Sequence, residues 1–405
     1  MLRDRCSLPV VLLASGLWLA GCADSSSSGS SGGSSGGFVL DPFAANLEGS
    51  NGCFGVNLTF PQTPEAIPLT SIVITSASRL AASATEEKLY ITGVESGFFG
   101  NAFVAEVDLT TGTPVESAYV TPGDIQTTLV GGGVAGAAQL AGIALIAPGV
   151  VIFMDQTSNS VLGFDPVSGL FVFAGELNTE GGYSDPTLAE DSRFDFSEPG
   201  DLCPTGDGRV LIADTGNNRI RMFRDSEVGS VVVTLAGTGD AGSVDGNFDD
   251  TTFDSPWGLT VGCTGQVLIT ESGAVTGAGN RLRGVMLGAG TSFAALDIDA
   301  YTLVGDGTLA TVEGPGGLAG LARPSPPVAT ADGEVYWVDT ATGVLRRYDL
   351  AGGVADCPGF VDCASAVAAP LFSPSGGNFS LAIGASGDLY VLESDTQTLW
   401  RIPAP

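Results

Sequence analysis

Five runs of β-branched and aromatic residues in this chain each end on a carboxylate: Val151–Asp155, Val210–Asp214, Val267–Glu271, Val335–Asp339 and Leu389–Glu393. A sixth run, Leu89–Thr92, has Gly93 where the acid would stand. From Gly93 onward these positions are spaced 62, 59, 57, 68 and 54 residues apart. A unit of that length recurring so regularly demands an architecture of repeated modules, a solenoid or a propeller.

The turn after each acid fixes the register. In four units the first apolar residue of the next strand lies six positions on: Asp155 to Val161, Asp214 to Ile220, Asp339 to Leu345 and Glu393 to Leu399. In the other two, Gly93 to Val104 and Glu271 to Leu282, the step is eleven. A carboxylate opening a turn accepts backbone N–H bonds from it, so these acids are read as structural.

The stretch from Phe194 to Gly237 displays a whole unit. It predicts an entry strand over Glu198–Cys203, a turn at Thr205–Gly208 and a strand over Arg209–Ala213. A polar turn at Asp214–Asn218 and strands over Ile220–Phe223 and Val231–Leu235 follow. Short strands punctuated by Gly, Asn and Asp make an antiparallel meander. Leu211 to Arg221, LIADTGNNRIR, closely resembles the NHL repeat. That resemblance implies an all-β, six-bladed β-propeller with four-stranded antiparallel blades. The last unit stops at its third strand, Leu399–Ile402, so an N-terminal strand near 71–75 is expected to complete it and leave no open edge. Residues 71–405 would then be the propeller and 41–70 an extension packed on one face. In NHL proteins the inter-blade loops, such as Gly237–Gly246 here, gather around the central channel and form the binding face.

Composition narrows the function. The chain has 15 basic and 45 acidic residues, a net charge of −30, and Lys88 is its one lysine. Such a surface repels nucleic-acid phosphates and anionic lipids. Histidine is absent. That removes the commonest general base, the commonest transition-metal ligand and every Ser-His or Cys-His arrangement.

The N-terminus sets an address. Arg3 and Arg5 precede an apolar run, Leu8–Ala20, too short to span a bilayer and right for a signal peptide. Leu19-Ala20-Gly21-Cys22 resembles a bacterial lipobox, which implies cleavage after residue 21 and lipidation of Cys22. Removing residues 1–21 takes away Arg3, Asp4 and Arg5 and leaves −31 from −30. Two or three acyl chains anchor stably. Residues 22–40 read as the lipidated cysteine and a Ser/Gly tether reaching ~20 Å. Ala23 in place of Asp argues for the outer membrane, by resemblance to enteric lipoproteins.

Five cysteines remain after Cys6 and Cys22: Cys53, Cys203, Cys263, Cys357 and Cys363. Cys357 and Cys363 could close a small disulfide loop, while Cys203 and Cys263 fall in registers three residues apart. An odd number of thiols cannot all pair within the chain.

Acidic clusters are the remaining source of chemistry. Asp245, Asn247, Asp249 and Asp250 lie in one inter-blade loop with Asp254. Asp185, Glu190, Asp191, Asp195 and Glu198 lie in the loop before it, and Asp297 and Asp299 form a third group. Oxygen-only sets suit Ca²⁺ or Mg²⁺, though no EF-hand order is present. Solvated acids capping turns are the plainer reading. Arg219, Arg221 and Arg224 cluster on the best repeat and read mainly as blade-packing residues, while Trp257, Trp337 and Trp400 read as core. Asp185, Asp240, Asp245 and Arg219 mark the expected binding face.

The expectation is a monomeric, lipid-anchored, non-catalytic binding module for a protein, peptide or glycan, with no nucleic-acid partner and no required cofactor. Propeller-to-binding is fold analogy. The competing expectation is a Ca²⁺-dependent lactonase or related hydrolase, by resemblance to gluconolactonase- and paraoxonase-like propellers.

Overall fold

A computed structural model describes residues 65–67, 74–95, 102–109, 114–118, 139–177, 180–186, 188–205, 207–226, 229–247, 249–262, 265–274, 276–286, 299–312, 316–330, 333–350, 364–366, 372 and 378–403. It is an all-β structure of six antiparallel sheets. The first strand, β1 (Glu65–Ile67), stands apart from the blade that follows it. Blade 1 is β2 (Ile74–Ala82), β3 (Lys88–Glu95), β4 (Ala102–Asp108) and β5 (Pro114–Ala118). Blade 2 is β6 (Leu140–Ala147), β7 (Val150–Asp155), β8 (Ser160–Asp165) and β9 (Gly169–Ala174). Blade 3 is β10 (Leu202–Pro204), β11 (Val210–Asp214), β12 (Arg219–Ser226) and β13 (Gly229–Ala236). Blade 4 adds a short β14 (Gly246–Asn247) to β15 (Pro256–Val261), β16 (Val267–Glu271), β17 (Arg281–Met286) and β18 (Asp299–Val304). Blade 5 is β19 (Val328–Ala329), β20 (Glu334–Asp339), β21 (Val344–Asp349) and β22 (Ala364–Ala366). Blade 6 is β23 (Phe379–Ile383), β24 (Leu389–Glu393) and β25 (Thr398–Ile402), with β1 as its fourth strand.

Blade 6 corrects the sequence reading. Its outer strand is β1, with Glu65 opposite Arg401 and Ile67 opposite Leu399, and not the segment near 71–75. Ile74 and Thr75 instead open β2, the inner strand of blade 1. Two register shifts, at Ile74/Ser76 and Ala77/Arg79, let β2 run on as one long strand. Hence the segment 41–70 contributes a strand to the ring. The entry strand of blade 3 is also shorter than Glu198–Cys203, because residues 198–201 belong to the loop ahead of β10.

The inner strands touch in sequence around a ring: β2 with β6, β6 with β10, β10 with β15, β15 with β19, β19 with β23, and β23 with β2. Each interface between adjacent blades holds its own buried apolar cluster. Leu211, Met222, Leu259 and Ile269 join blades 3 and 4, and Leu80, Ile91, Tyr390 and Leu399 join blades 6 and 1. A blade therefore buries both faces, which accounts for strands that are apolar at consecutive positions, such as Val210–Ala213.

The turn step of six or eleven gives one register throughout. Val161, Ile220, Leu345 and Leu399 lie opposite Met154, Ala213, Val338 and Leu392, each just before the acid. Leu282 and Val104 lie opposite Thr270 and Thr92 in the same way, so five extra residues are absorbed in the turn.

The turns also fasten blade to blade. Asn159, Asn218, Asn280 and Gln397 close them with φ of 49°, 51°, 58° and 53°, a left-handed backbone that Asn tolerates better than most residues. Their side-chain carbonyls accept the N–H groups of Phe196, Ser255, Arg323 and Ala77, each in the next blade or the loop entering it. Gly343 takes this place in blade 5, and its backbone carbonyl accepts from Phe372 instead. No helix among the described residues is long and apolar enough to cross a membrane.

Candidate functional site

Antiparallel order places the end of each second strand, the turn after it and the loop into the next blade at one end of the ring. There the repeated acids meet buried arginines. In blade 3, Arg221 Nη1 donates to Asp214 Oδ2 at 2.8 Å and to the Arg193 carbonyl at 3.1 Å. Its Nη2 donates to the Ser184 carbonyl at 2.6 Å and to Asp185. In blade 4, Arg283 Nη1 meets Glu271 at 3.1 Å and the Thr252 carbonyl at 3.3 Å. Its Nη2 meets the Val244 carbonyl at 3.0 Å and Asp245 at 2.8 Å. In blade 5, Arg346 binds Asp339 at 3.0 Å and the carbonyls of Gly320 and Val312. All three guanidinium side chains are fully buried.

Burial pushes the carboxyls of Asp214, Glu271 and Asp339 up, against the pull of their arginines, Asp214 to about 6. A buried pair of this kind specifies geometry more than it adds stability. Here it holds the entering loop by carbonyls and a carboxylate in blades 3 and 4, and by carbonyls in blade 5.

The loop acids are thus built into the blades. Asp185 also accepts from the Thr234 N–H and hydroxyl, and Asp245 from those of Thr302, at equivalent places on the outer strands. Asn247 donates to Asp250 at 3.0 Å and accepts from the Asp249 N–H. The four residues Asp245, Asn247, Asp249 and Asp250 therefore do not converge on one point: Asp245 faces the arginine while the other three close a turn. Among the described residues, no group of three or more Asp, Glu, His or Cys side chains is placed to hold a metal ion. Asp240 is exposed, its N–H bonded to the Thr238 hydroxyl. Arg219 donates to the Thr238 and Asn217 carbonyls and stacks over the Tyr183 ring at 3.9 Å. Cys203 is buried with its thiol toward the Pro204 carbonyl. Cys22, Cys53, Cys263, Cys357, Cys363 and Asp297 lie outside the described residues, as does the expected Cys357–Cys363 bridge.

The pairing of loop acid and blade arginine was not drawn from the sequence, though a signal exists. Ser184-Asp185, Val244-Asp245 and Val312-Glu313 recur ahead of Arg221, Arg283 and Arg346.

A second cluster lies on the axis of the ring. Arg79, on β2, pairs opposite Thr92, the place that Gly258 holds opposite Thr270 in blade 4. Its side chain crosses the ring to blade 4, where the guanidinium lies 5.5 Å from the centre of the Trp257 ring. Trp257 is buried and donates to the Pro324 carbonyl at 2.7 Å. Asp201 of blade 3 stands beside them. Its carboxylate accepts the N–H groups of Leu202 at 3.0 Å and of Leu259 at 3.2 Å. Burial raises its carboxyl to about 6 despite the attraction of Arg79. Burial likewise lowers the Arg79 guanidinium, against the attraction of Asp201. Neither residue belongs to the repeated motif. Their signal is a charged residue at the inner-strand position opposite the residue before the acid position, where blades 2, 4 and 6 carry Ala141, Gly258 and Ser380.

No family model and no curated protein matches this sequence. Solved structures of propeller type do align with the fold. A streptogramin B lyase is 11% identical over 84% of this chain and 97% of its own, with a TM-score of 0.47. An auxiliary nutrient-binding protein from Bacteroides ovatus is 12% identical over 82% and 70%, TM-score 0.48. The calcium-binding protein regucalcin from Agrobacterium tumefaciens is 12% identical over 85% and 95%, TM-score 0.45. At these values the likeness carries neither activity nor ligand to this chain, which is an all-β protein of six four-stranded antiparallel blades, one with an added short strand.

Proposed function

We propose that this propeller is a non-catalytic binding module for a protein or peptide, held at the cell envelope by lipidated Cys22. The observation that carries this reading is the state of the loop end. Asp185 and Asp245 are engaged with the buried Arg221 and Arg283, while aliphatic side chains are left outside. Val244 and Val312 occupy equivalent loop positions beside Asp245 and Glu313 and are 55% and 48% exposed. Leu309 and Leu318 are exposed in the same loop as Val312. Apolar groups displayed on loops pinned by buried arginines form a preorganised contact surface. Aliphatic groups favour a peptide over a glycan, which calls for aromatic platforms, and Tyr183 already carries Arg219.

A peptide-display selection against the mature protein tests this. Selected peptides should bind wild type and lose at least about tenfold in affinity for a Val244→Asp, Val312→Asp double variant. Equal binding to the variant refutes the surface. Selective retention on a glycan array would replace peptide by glycan. Hydrolysis of lactones or esters that EDTA abolishes would install the Ca²⁺-dependent hydrolase instead. For the anchor, Cys22→Ser should move the protein from the detergent phase to the aqueous phase on Triton X-114 partition.

A further inference from the structure

We propose that the guanidinium of Arg79, on the axis of the ring between Trp257 and Asp201, binds a small carboxylate anion. The site is distinct from the loop surface above and does not depend on it.

The first ground is an unmet demand for acceptors. Nε, Nη1 and Nη2 of Arg79 are all buried, and none has a hydrogen-bond partner among the described residues. The blade arginines differ: each meets a carboxylate and at least two backbone carbonyls through its terminal nitrogens. A buried donor without an acceptor is costly, and for an ionised group more so. Asp201 supplies a compensating charge without a hydrogen bond to Arg79; its two oxygens accept the Leu202 and Leu259 N–H groups. The Trp257 face supplies cation–π attraction and likewise no acceptor.

The second ground is shape. A guanidinium presents parallel N–H pairs that match the two oxygens of a carboxylate. Arg79 is 1% exposed and Trp257 3%, so the guest proposed is the smallest of its class, formate or acetate.

The charges then couple the guest to a proton. Asp201 is the one charged group that acts on Arg79, and Arg79 the one that acts on Asp201, among the described residues. An anion entering beside an ionised Asp201 would give the site a net negative charge. With Asp201 protonated the site is neutral. Since burial already lifts Asp201 to about 6, affinity is full below that pH and declines above it, by up to about tenfold per pH unit.

The test is titration of the mature protein with sodium acetate, exchanged against a bulky sulfonate at constant ionic strength. Thermal midpoint and calorimetry are the readouts. A saturable rise in midpoint is expected at pH 5.0, with affinity at least tenfold weaker at pH 7.5. Arg79→Met, which keeps the length and removes the fork, should abolish it, and Arg79→Lys should weaken it at least tenfold. Asp201→Asn should hold acetate equally at both pH values. An unsaturable response, or the same response in Arg79→Met, overturns the proposal. An equal response to chloride overturns the carboxylate assignment. Should Arg79→Met fail to fold, the Asp201→Asn and Arg79→Lys arms still decide.

Discussion

Blades 3 and 4 solve with charge a problem that blades 2 and 6 solve without it. All four bury an acid at the end of the second strand. In blades 3 and 4 the third-strand residue opposite the position two before the acid is Arg221 or Arg283. In blades 2 and 6 it is Leu162 or Trp400. Asp155 is then met by the Thr157 N–H at 3.0 Å and the Ser158 hydroxyl at 2.7 Å, and Glu393 by the Trp400 indole at 3.2 Å. Blade 1 has neither partner, since Gly93 stands at the acid's position and Ala105, opposite Ile91, at the arginine's. The acid serves its turn in any blade. The arginine is present where an entering loop brings carbonyls, joined in blades 3 and 4 by a second carboxylate, and it closes that loop onto the sheet.

The sharpest way to break this comparison is Arg221→Met. It leaves Asp214 buried without its counter-ion and the Ser184 and Arg193 carbonyls without a donor. A loss of about 3–5 kcal/mol is expected in denaturant unfolding. Replacing both members, Asp214→Ser with Arg221→Leu, imitates an uncharged blade and should recover part of that loss. A double variant no better than the single would show that the loop carbonyls, and not the ion pair, carry the effect.

A middle-sized effect is expected at the inter-blade latch. Asn218→Ala forces a Cβ-bearing residue without a compensating side-chain carbonyl into a left-handed turn and strips the acceptor from the Ser255 N–H. About 1–2 kcal/mol should be lost. Hydrogen exchange at Ser255 should quicken more than in the strands of blade 3.

The smallest effect belongs to Asp245→Asn, at the outer, half-exposed end of the Arg283 bridge. Less than about 1 kcal/mol is expected, shrinking as salt rises. A salt-independent loss of several kcal/mol would place Asp245 with the buried acids.

The ring was legible in the sequence because its strands recur with one turn step, and the step of six or eleven carried the register into every blade. The closing strand was not. Residues 71–75, SIVIT, carry a far stronger strand signal than Glu65–Ile67, which lies between Pro64 and Pro68. A three-residue edge strand is made by the neighbour that pairs with it, so propensity misplaced it. The loop acids were found, but their partners were not, because Asp185 and Arg221 meet only through the folded sheet. Arg79 and Asp201 escaped entirely, since a motif search attends to what repeats and each of these residues occurs in a single blade.

The pairing of Glu65–Ile67 with Thr398–Ile402 sets an order on maturation. β1 has no mate until β25 has been synthesised, and the outer edge of β25 stays uncapped until β1 docks on it. Loop closure over more than 300 residues is slow, and a naked strand edge invites a second chain. For this protein the interval between synthesis of β25 and docking of β1 is the period in which aggregation competes with completion.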